Sequence, residues 1–407
     1  MSTPPLTRFG ALTGTYFATV GLFNPYAPLW FQSLGFSTLV IGAIASLQSW
    51  TRVVAPYAWS WGGDHSGRRV ELIRLAALGA VLSSLGLLAV PAMQPMGATE
   101  LVVTVALMTA LLFVANSGVV PLYEAMLAHL LQAPDGGLDA KRYGRVRVWG
   151  SVGFIAAVSS FGLLLERLGI GVFPTFLAVM NVLLLVAALR LPATRADAVH
   201  DEPAPPVLPL LKRPEVAWFF ASIFFTVLAH TSLYAFFSLY LLSLGYGKGA
   251  VGTLWAVSVA VEIVFFWTQG RWFPRLTPHR WLQVVAGVTA LRFASTAAGG
   301  AWAPVLVLAQ LTHAVTFAVH HAACIALVQR LFPGRLRGRG QALYTTLGYG
   351  VSGVLGGVGG GWLISHLGFA AVFWAAALCG VAALLCATAS ARSQHRHSAD
   401  HRDTNGQ

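Results

Sequence analysis

Twelve apolar runs, each close to bilayer-crossing length, dominate the sequence: 8–33, 38–61, 70–91, 100–128, 143–166, 170–191, 214–244, 248–270, 280–299, 303–330, 340–366 and 369–389. A helix rises about 1.5 Å per residue, so roughly 20 apolar residues cross a hydrocarbon core. Inside lipid the backbone has no water to bond to, and a single run must close its hydrogen bonds internally as a helix. The pattern predicts an all-α membrane protein of twelve transmembrane helices. Composition supports this. Only 10% of residues are charged and 56% are hydrophobic, against about 25% charged in soluble domains. The formal net charge of +12 does not point to nucleic acid, because the basic residues are spread between the apolar runs rather than gathered on one face.

Those basic residues set an expected orientation. Of 26 Lys and Arg, 22 fall on one set of alternate loops and at the two ends, and the opposite loops hold only Arg167 and Lys248. By the positive-inside bias, both termini are expected in the cytoplasm, with the chain in the inner (plasma) membrane. The opening MSTPPLTRFG lacks a basic n-region and a cleavage site, so the first run reads as a retained span rather than a signal peptide. Cys324, Cys379 and Cys386 lie within apolar runs and read as small apolar fillers, not a disulfide framework.

The longest polar interruption, PATRADAVHDEPAPPVLPLLKRP from Pro192 to Pro214, has the Pro-rich, charged make-up of a linker. It divides the chain into a six-helix bundle at 1–191, a cytoplasmic linker at 192–213, a second six-helix bundle at 214–389 and a tail at 390–407. The halves echo each other. Leu34-Gly35-Phe36 followed by Gly42 reappears 210 positions later as Leu244-Gly245-Tyr246 followed by Gly252. Leu168-Gly169 and Leu367-Gly368 end the fifth and eleventh runs alike. Two pseudo-symmetric six-helix repeats place a small-molecule site near the membrane midplane. Gly356, Gly357, Gly360 and Gly361 form small-xxx-small pairs suited to close helix contact.

The loop after the second run, Ser60-Trp61-Gly62-Gly63-Asp64-His65-Ser66-Gly67-Arg68-Arg69, resembles the G-x-x-x-D-[RK]-x-G-[RK]-[RK] signature of the major facilitator superfamily. Asp64, Gly67, Arg68 and Arg69 match, while Ser60 and His65 depart from the pattern. Physically, Gly67 permits a tight turn, Asp64 accepts charge-assisted bonds, and the arginines suit an anionic leaflet. The resemblance implies a gating role for these four residues. The equivalent loop of the second half, from Gly270 to Arg280, keeps basic residues but no Asp.

Ionisable groups within spans are costly and point to function. They are Arg52, Glu124, Arg147, His230, Glu262, Arg292, His313, His320 and His321. Glu262 lies 14 residues beyond Lys248, about 21 Å along a helix, where a buried carboxylate can load and release a proton. A structural ion pair with Arg292 is the alternative. Arg52 maps onto position 262 at the repeat offset, so the halves carry opposite charges at matching places. Either Arg52 or Arg292 could hold a substrate carboxylate in its fork of donors. His313, Thr316 and His320 share a helix face and could relay protons or bind substrate. No acidic or Cys partner completes a ligand set there, so no metal and no cofactor is expected. Aromatic residues are dense in the first and seventh runs, among them Tyr16, Phe17, Tyr26, Tyr234 and Tyr240, and a few facing a cavity would suit a planar aromatic substrate. Asn24, Tyr26, His230, Tyr234 and His320 join the candidate substrate-binding set on this basis. Pro25, Pro28, Pro56 and Pro121 are expected to bend their helices.

Within the superfamily the chain resembles the lactose permease-like branch, and in particular the phenylpropionic acid permease family. The resemblance rests on Thr51-Arg52-Val53-Val54-Ala55-Pro56, on Tyr143-Gly144-Arg145-Val146-Arg147-Val148-Trp149-Gly150, on Ala260-Val261-Glu262-Ile263 and on Leu311-Thr312-His313-Ala314-Val315-Thr316-Phe317. It implies that Glu124 is a substrate-binding acid paired with Arg147, and that Glu262, Arg292 and His313 take part in proton coupling, with Glu124 as a second candidate. Two departures matter. Thr316 stands where lactose permease has its proton-carrying glutamate, and Gln310 where it has a lysine. The expected function is proton-coupled symport of a small organic, plausibly aromatic, acid by a functional monomer. Export of drugs or metabolites, or sugar or nucleoside symport, is the alternative, because one scaffold serves many substrates. No phosphate loop, nucleophile–base pair or metal motif is present, which argues against an enzyme or an ATP-driven pump.

Overall fold

A computed structural model of the chain describes residues 6–93, 97–131, 139–192 and 208–405. Its first six long helices are α1 (Leu6–Ser33), α2 (Thr38–Ser66), α3 (Arg69–Ala89), α4 (Ala98–Leu130), α5 (Ala140–Leu168) and α6 (Phe173–Leu189). The next six are α7 (Pro214–Ser243), α8 (Lys248–Trp272), α9 (Pro278–Gly299), α10 (Ala303–Leu331), α11 (Arg337–Leu367) and α12 (Phe369–Asn405). No strand occurs among the described residues. Ten of the twelve are long and apolar enough to cross a membrane. The other two, α1 and α9, have 28 and 22 residues and are of crossing length. They carry more polar groups, Arg8 and Asn24 on α1 and Arg280, Gln283 and Arg292 on α9. Most of the expected linker, 193–207, lies outside the described residues. The expected tail continues α12 as helix through Asn405, there being no Gly or Pro before Gly406 to stop it.

Local signals mark several helix ends. The Ser37 side chain caps α2 by accepting the Val40 N–H at 3.3 Å, and Asp139 caps α5 by accepting the Arg142 N–H at 3.0 Å. These bonds satisfy N–H groups that a helix leaves orphaned at its start. The repeat is visible in the backbone. Gly35 and Gly245 take φ of 83° and 85°, and Gly169 and Gly368 take 84° and 81°, a left-handed region that residues with a Cβ adopt at a cost.

The chain forms two compact units, Met1–Asp201 with Leu241–Ala256, and Glu202–Tyr240 with Val257–Gln407. In the first, α1 packs on α5 and α6, and α3 on α4 and α6. In the second, α7 packs on α11 and α12, and α9 on α10 and α12. The pairings are the same, shifted by six helices. Phe9, Leu12, Ile73, Leu122 and Leu184 build the first core; Phe219, Ile223, Leu327 and Phe332 build the second. Lipid tails are as apolar as leucine, so close contact rather than water exclusion holds such helices together. A methyl group on Gly153 of α5 would strike the Gly14 backbone of α1, and methyls on Gly356 and Gly360 of α11 would strike Thr231 and Phe236 of α7. Leu82, Leu107, Leu163, Leu291 and Leu385 stay exposed, as lipid-facing side chains must.

Three of the second unit's helices are interrupted by π-helical turns: Ser232–Phe236 in α7, Ala314–Val319 in α10 and Tyr344–Val351 in α11. Such turns widen the helix locally and concentrate at functional sites. Each lies beside the polar side chains described next.

Candidate functional site

The second unit buries a connected polar cluster where α8, α9 and α10 meet. Arg292 of α9 is 3% exposed. Its Nη1 donates to Thr316 Oγ1 at 2.8 Å and lies 2.9 Å from His313 Nδ1, and its Nη2 donates to Gln310 Oε1 at 3.0 Å. On the other side of the ring, His313 Nε2 is 2.8 Å from Glu262 Oε1 of α8. A guanidinium has donors only, so Nδ1 of His313 must accept. The ring proton is then on Nε2 and is donated to the Glu262 carboxylate. The arrangement is an Arg292–Glu262 ion pair relayed through a neutral imidazole. A second proton on His313 would set an N–H against the Arg292 N–H.

His230 of α7 adjoins this cluster. Its Nδ1 is 2.7 Å from the Thr226 carbonyl, which can only accept, so Nδ1 is protonated and Nε2 carries the lone pair. That Nε2 is buried without a hydrogen-bond partner among the described residues. The ring centroid is 6.3 Å from that of His313, with Phe293 edge-on at 5.4 Å and Tyr234 at 6.4 Å. Farther along α10, His320 and His321 turn to different neighbours. His320 Nε2 meets Cys324 Sγ at 3.4 Å. His321 Nδ1 meets the Tyr344 hydroxyl at 3.2 Å, which meets the Tyr349 hydroxyl at 3.1 Å.

In the first unit the candidates stand apart. Glu124 is half-buried and accepts from the Tyr143 hydroxyl at 2.9 and 3.0 Å. Arg147 is exposed, with its guanidinium carbon 4.5 Å from the centre of the Phe17 ring, a cation–π contact. The Glu124–Arg147 pair implied by the resemblance is not formed: among the described residues no ion pair joins them, since Tyr143 occupies the carboxylate and Phe17 the guanidinium. Arg52 is exposed and Asn24 half-buried. Tyr26, expected at a substrate surface, is fully buried and donates its hydroxyl to the Val158 carbonyl at 2.6 Å. Its polar atom is used in helix packing.

The loop residues are ordered locally. Gly67 takes φ 65° and its N–H bonds the Gly63 carbonyl, ending α2. Arg69 Nη2 reaches Asp64 Oδ1 at 2.7 Å. Arg68 and Glu71 pair at 3.6 Å but are largely exposed, which leaves them little energetic weight. Sequence reasoning missed the role of Arg74. Its guanidinium donates to the carbonyls of Ala188, Leu189 and Leu191 at 3.4, 3.2 and 3.1 Å. They lie at the end of α6, where the Ala188 carbonyl also accepts the Leu191 N–H and a cation complements the helix dipole. A positive-inside arginine next to a helix start gave no signal of so distant a partner.

Comparison with known proteins adds a family. The model of the MFS_1 like family matches residues 12–375. The chain is 27% identical over 372 residues to a probable 3-phenylpropionic acid transporter of Escherichia coli K12, covering 91% of this chain and 94% of that one. It is 28% identical over 382 residues to a maltose permease of Geobacillus stearothermophilus, covering 91% and 90%. Among solved structures, a point mutant of the nucleoside transporter NupG superposes with a TM-score of 0.76 at 16% identity, over 95% of this chain and 99% of that one. At that identity the likeness concerns the fold.

Proposed function

We propose that this chain, a secondary transporter that belongs to the MFS_1 like family, couples uptake of a small aromatic carboxylate to uptake of a proton. The observation that carries the reading is the buried Glu262–His313–Arg292 relay. A purely structural ion pair would gain most from direct contact. Here a titratable ring separates the charges, and the carboxylate keeps more exposure (16%) than the ring (4%). Protonation of Glu262 removes the only negative partner in the relay and leaves the Arg292 charge uncompensated. The second unit then favours an anion, and binding of the anion favours retention of the proton. Such reciprocity is what coupling between two ligands requires.

Arg147 over Phe17, with Arg52 also exposed, offers a cation beside an aromatic face in the first unit. A guanidinium fork binds a carboxylate through two parallel bonds, and an aryl group finds a ring to pack on. The likeness to a probable 3-phenylpropionic acid transporter agrees with that chemistry. The positive-inside bias supports cytoplasmic termini; on this reading the chain sits in the inner membrane and works as a monomer, with proton and organic acid as its partners.

The test is uptake of labelled 3-phenylpropionate into proteoliposomes under an imposed pH gradient, inside alkaline. The expected result is accumulation above that in protein-free vesicles, abolished by an uncoupler. Maltose, nucleosides and a hydrophobic cation belong in the same panel. Gradient-driven uptake of maltose without that of any arylcarboxylate would replace the substrate class, and uptake indifferent to the gradient would remove the coupling.

A further inference from the structure

We propose that the second unit carries a binding site for an anionic phospholipid, in a cavity between α9, α12 and the turn that precedes α9, where Arg275, Arg280 and Arg392 hold the phosphate. The cavity measures about 450 Å³. Its three arginines come from separate segments: Arg275 from the turn Phe273–Arg275, Arg280 from the first turn of α9 and Arg392 from α12. All three are exposed. Along α9 the cavity lies twelve residues before Arg292, about 18 Å, and so apart from the buried Glu262–His313–Arg292 cluster.

Three like charges around one cavity repel one another, and an anion among them relieves that repulsion. Among the described residues none of the three arginines is in an ion pair, and no Asp or Glu lines the cavity. Other arginines at helix ends have protein partners: Arg69 reaches Asp64, and Arg74 reaches the carbonyls ending α6. The start of α9 is unusual in the same direction. The first turn of a helix favours carboxylates, because its N–H groups leave a partial positive charge. Here it has no acidic residue and carries His279 and Arg280 instead. Thr277 accepts the Arg280 N–H at 3.4 Å but brings no charge. An external anion supplies the negative charge that the sequence withholds. The remaining polar groups of the wall tie α9 to α12. Gln283 Nε2 donates to Thr388 Oγ1 at 3.4 Å, and His279 Nε2 lies 3.5 Å from Ser390 Oγ. Recognition of the anion therefore falls to the guanidiniums, whose forks match phosphate oxygens.

The residues in line with two of the arginines identify the anion as a lipid. On α9, Arg280, Val284, Gly287 and Leu291 follow one another at i, i+4, i+7 and i+11. On α12, read toward its start, Arg392, Thr388, Leu385, Val381 and Leu378 have the same spacing. Each series runs along one helix face. Val284, Leu291, Leu378, Val381 and Leu385 are exposed, and a Cβ added to Gly287 meets nothing within 4 Å. Each arginine thus heads a stripe open to acyl chains. Arg280 stands in the first turn of α9 and Arg392 in the last turn of the span Phe369–Gln394, the depth at which a leaflet carries its phosphates. A free phosphate would engage the arginines alone, whereas a phospholipid engages the arginines and the stripes together.

The experiment offers the delipidated full-length protein, in detergent, either dioleoylphosphatidylglycerol or dioleoylphosphatidylcholine, which share acyl chains and differ in net charge, and measures bound lipid by native mass spectrometry. The expected result is preferential retention of phosphatidylglycerol. Its affinity should fall about fivefold in Arg280→Gln and roughly thirtyfold in the double variant Arg280→Gln/Arg392→Gln, from the usual contribution of one cation near an anionic surface. Arg330→Gln removes the same charge from the exposed end of α10, outside the cavity, and should keep wild-type affinity. An equal loss in Arg330→Gln overturns the site in favour of diffuse charge. Equal retention of the two lipids by wild type overturns it in favour of a merely apolar groove. Displacement of phosphatidylglycerol by an equal concentration of inorganic phosphate overturns the lipid as occupant. Hydrogen exchange on the wild-type protein in nanodiscs needs no variant to fold. Adding phosphatidylglycerol to phosphatidylcholine discs should slow exchange in the first turn of α9 and around Thr388 to Arg392, and unchanged exchange at both places overturns the proposal.

Discussion

Replacing Glu262 by Gln keeps the size of the side chain and the acceptor for His313 Nε2 but removes the negative charge for good. The relay separates the charges by two hydrogen bonds of 2.8 and 2.9 Å and the width of an imidazole. Charges roughly 8 Å apart at an effective dielectric constant near 20 attract by about 2 kcal/mol. That attraction no longer competes for Arg292, so the variant is expected to bind an anionic substrate roughly thirtyfold more tightly than wild type at alkaline pH, since about 1.4 kcal/mol is a tenfold change. Wild type should approach the same affinity only as acid protonates Glu262, so the sign is fixed: affinity falls with rising pH in wild type and is flat in the variant. Coupling behaves oppositely. With one proton per substrate, wild type accumulates substrate by up to about tenfold per pH unit, whereas Glu262→Gln should stop at equilibration while still catalysing exchange of external for internal substrate. The assay is calorimetric binding of 3-phenylpropionate across pH, with uptake and counterflow in proteoliposomes and protein-free vesicles to subtract passive entry of the neutral acid. Unchanged accumulation by Glu262→Gln would refute the reasoning. Loss of exchange together with a large drop in melting temperature would show that the relay only holds the helices together.

Three further perturbations probe separate links. Thr316→Glu sets a carboxylate where a hydroxyl now accepts from Arg292 at 2.8 Å; Arg292 is then neutralised directly, and the pH dependence of binding should shrink toward none in the same calorimetric series. Arg74→Ala removes the guanidinium from three carbonyls at the end of α6, of which Ala188 keeps the Leu191 N–H, and should cost about 1–3 kcal/mol, read as a lower melting temperature with exchange activity retained. Gly153→Leu drives a side chain into the Gly14 backbone and should abolish recovery of monodisperse protein, whereas Gly171→Ala, where an added Cβ meets nothing within 4 Å, should leave it unchanged; size-exclusion chromatography distinguishes the two.

The fold was legible because its determinants are local. Length and hydropathy specify a span residue by residue, and the repeated Leu-Gly turns reappear as four glycines of positive φ at matching helix ends. The buried polar cluster was legible in part, for the same reason: Glu262, Arg292 and His313 stand out as ionisable groups in apolar runs. What the runs could not convey was which of these groups meet. That Arg292 spends its fork on Gln310, His313 and Thr316 depends on the register of α9 against α10. Tyr26 shows the same dependence on register. An aromatic with a polar tip on α1 reads as a ligand contact, yet its hydroxyl serves the carbonyl of Val158 on α5. The π-helical turns carried no signal at all, because they arise where packing outweighs one register of backbone bonds, with no Pro or paired Gly required.

The two replacements noted against lactose permease gain a common meaning from this geometry. Thr316 and Gln310 are neutral, and both accept hydrogen bonds from Arg292. Had a glutamate stood at 316, it would have neutralised Arg292 at close range. A lysine at 310 would have added a second cation to repel it. With both absent, the Arg292 charge is held by dipoles and, among the described residues, faces the Glu262 carboxylate across His313. The repeat makes the same point from the other side. Position 52 matches 262, but Arg52 is exposed on α2 while Glu262 faces a buried ring. The matching positions have therefore diverged in chemistry, with an exposed cation on α2 and a carboxylate in the buried cluster on α8. On the proposed reading, a single protonation of Glu262 changes the net charge of the α8–α10 cluster from zero to plus one, the smallest change able to make an anion's arrival depend on a proton's.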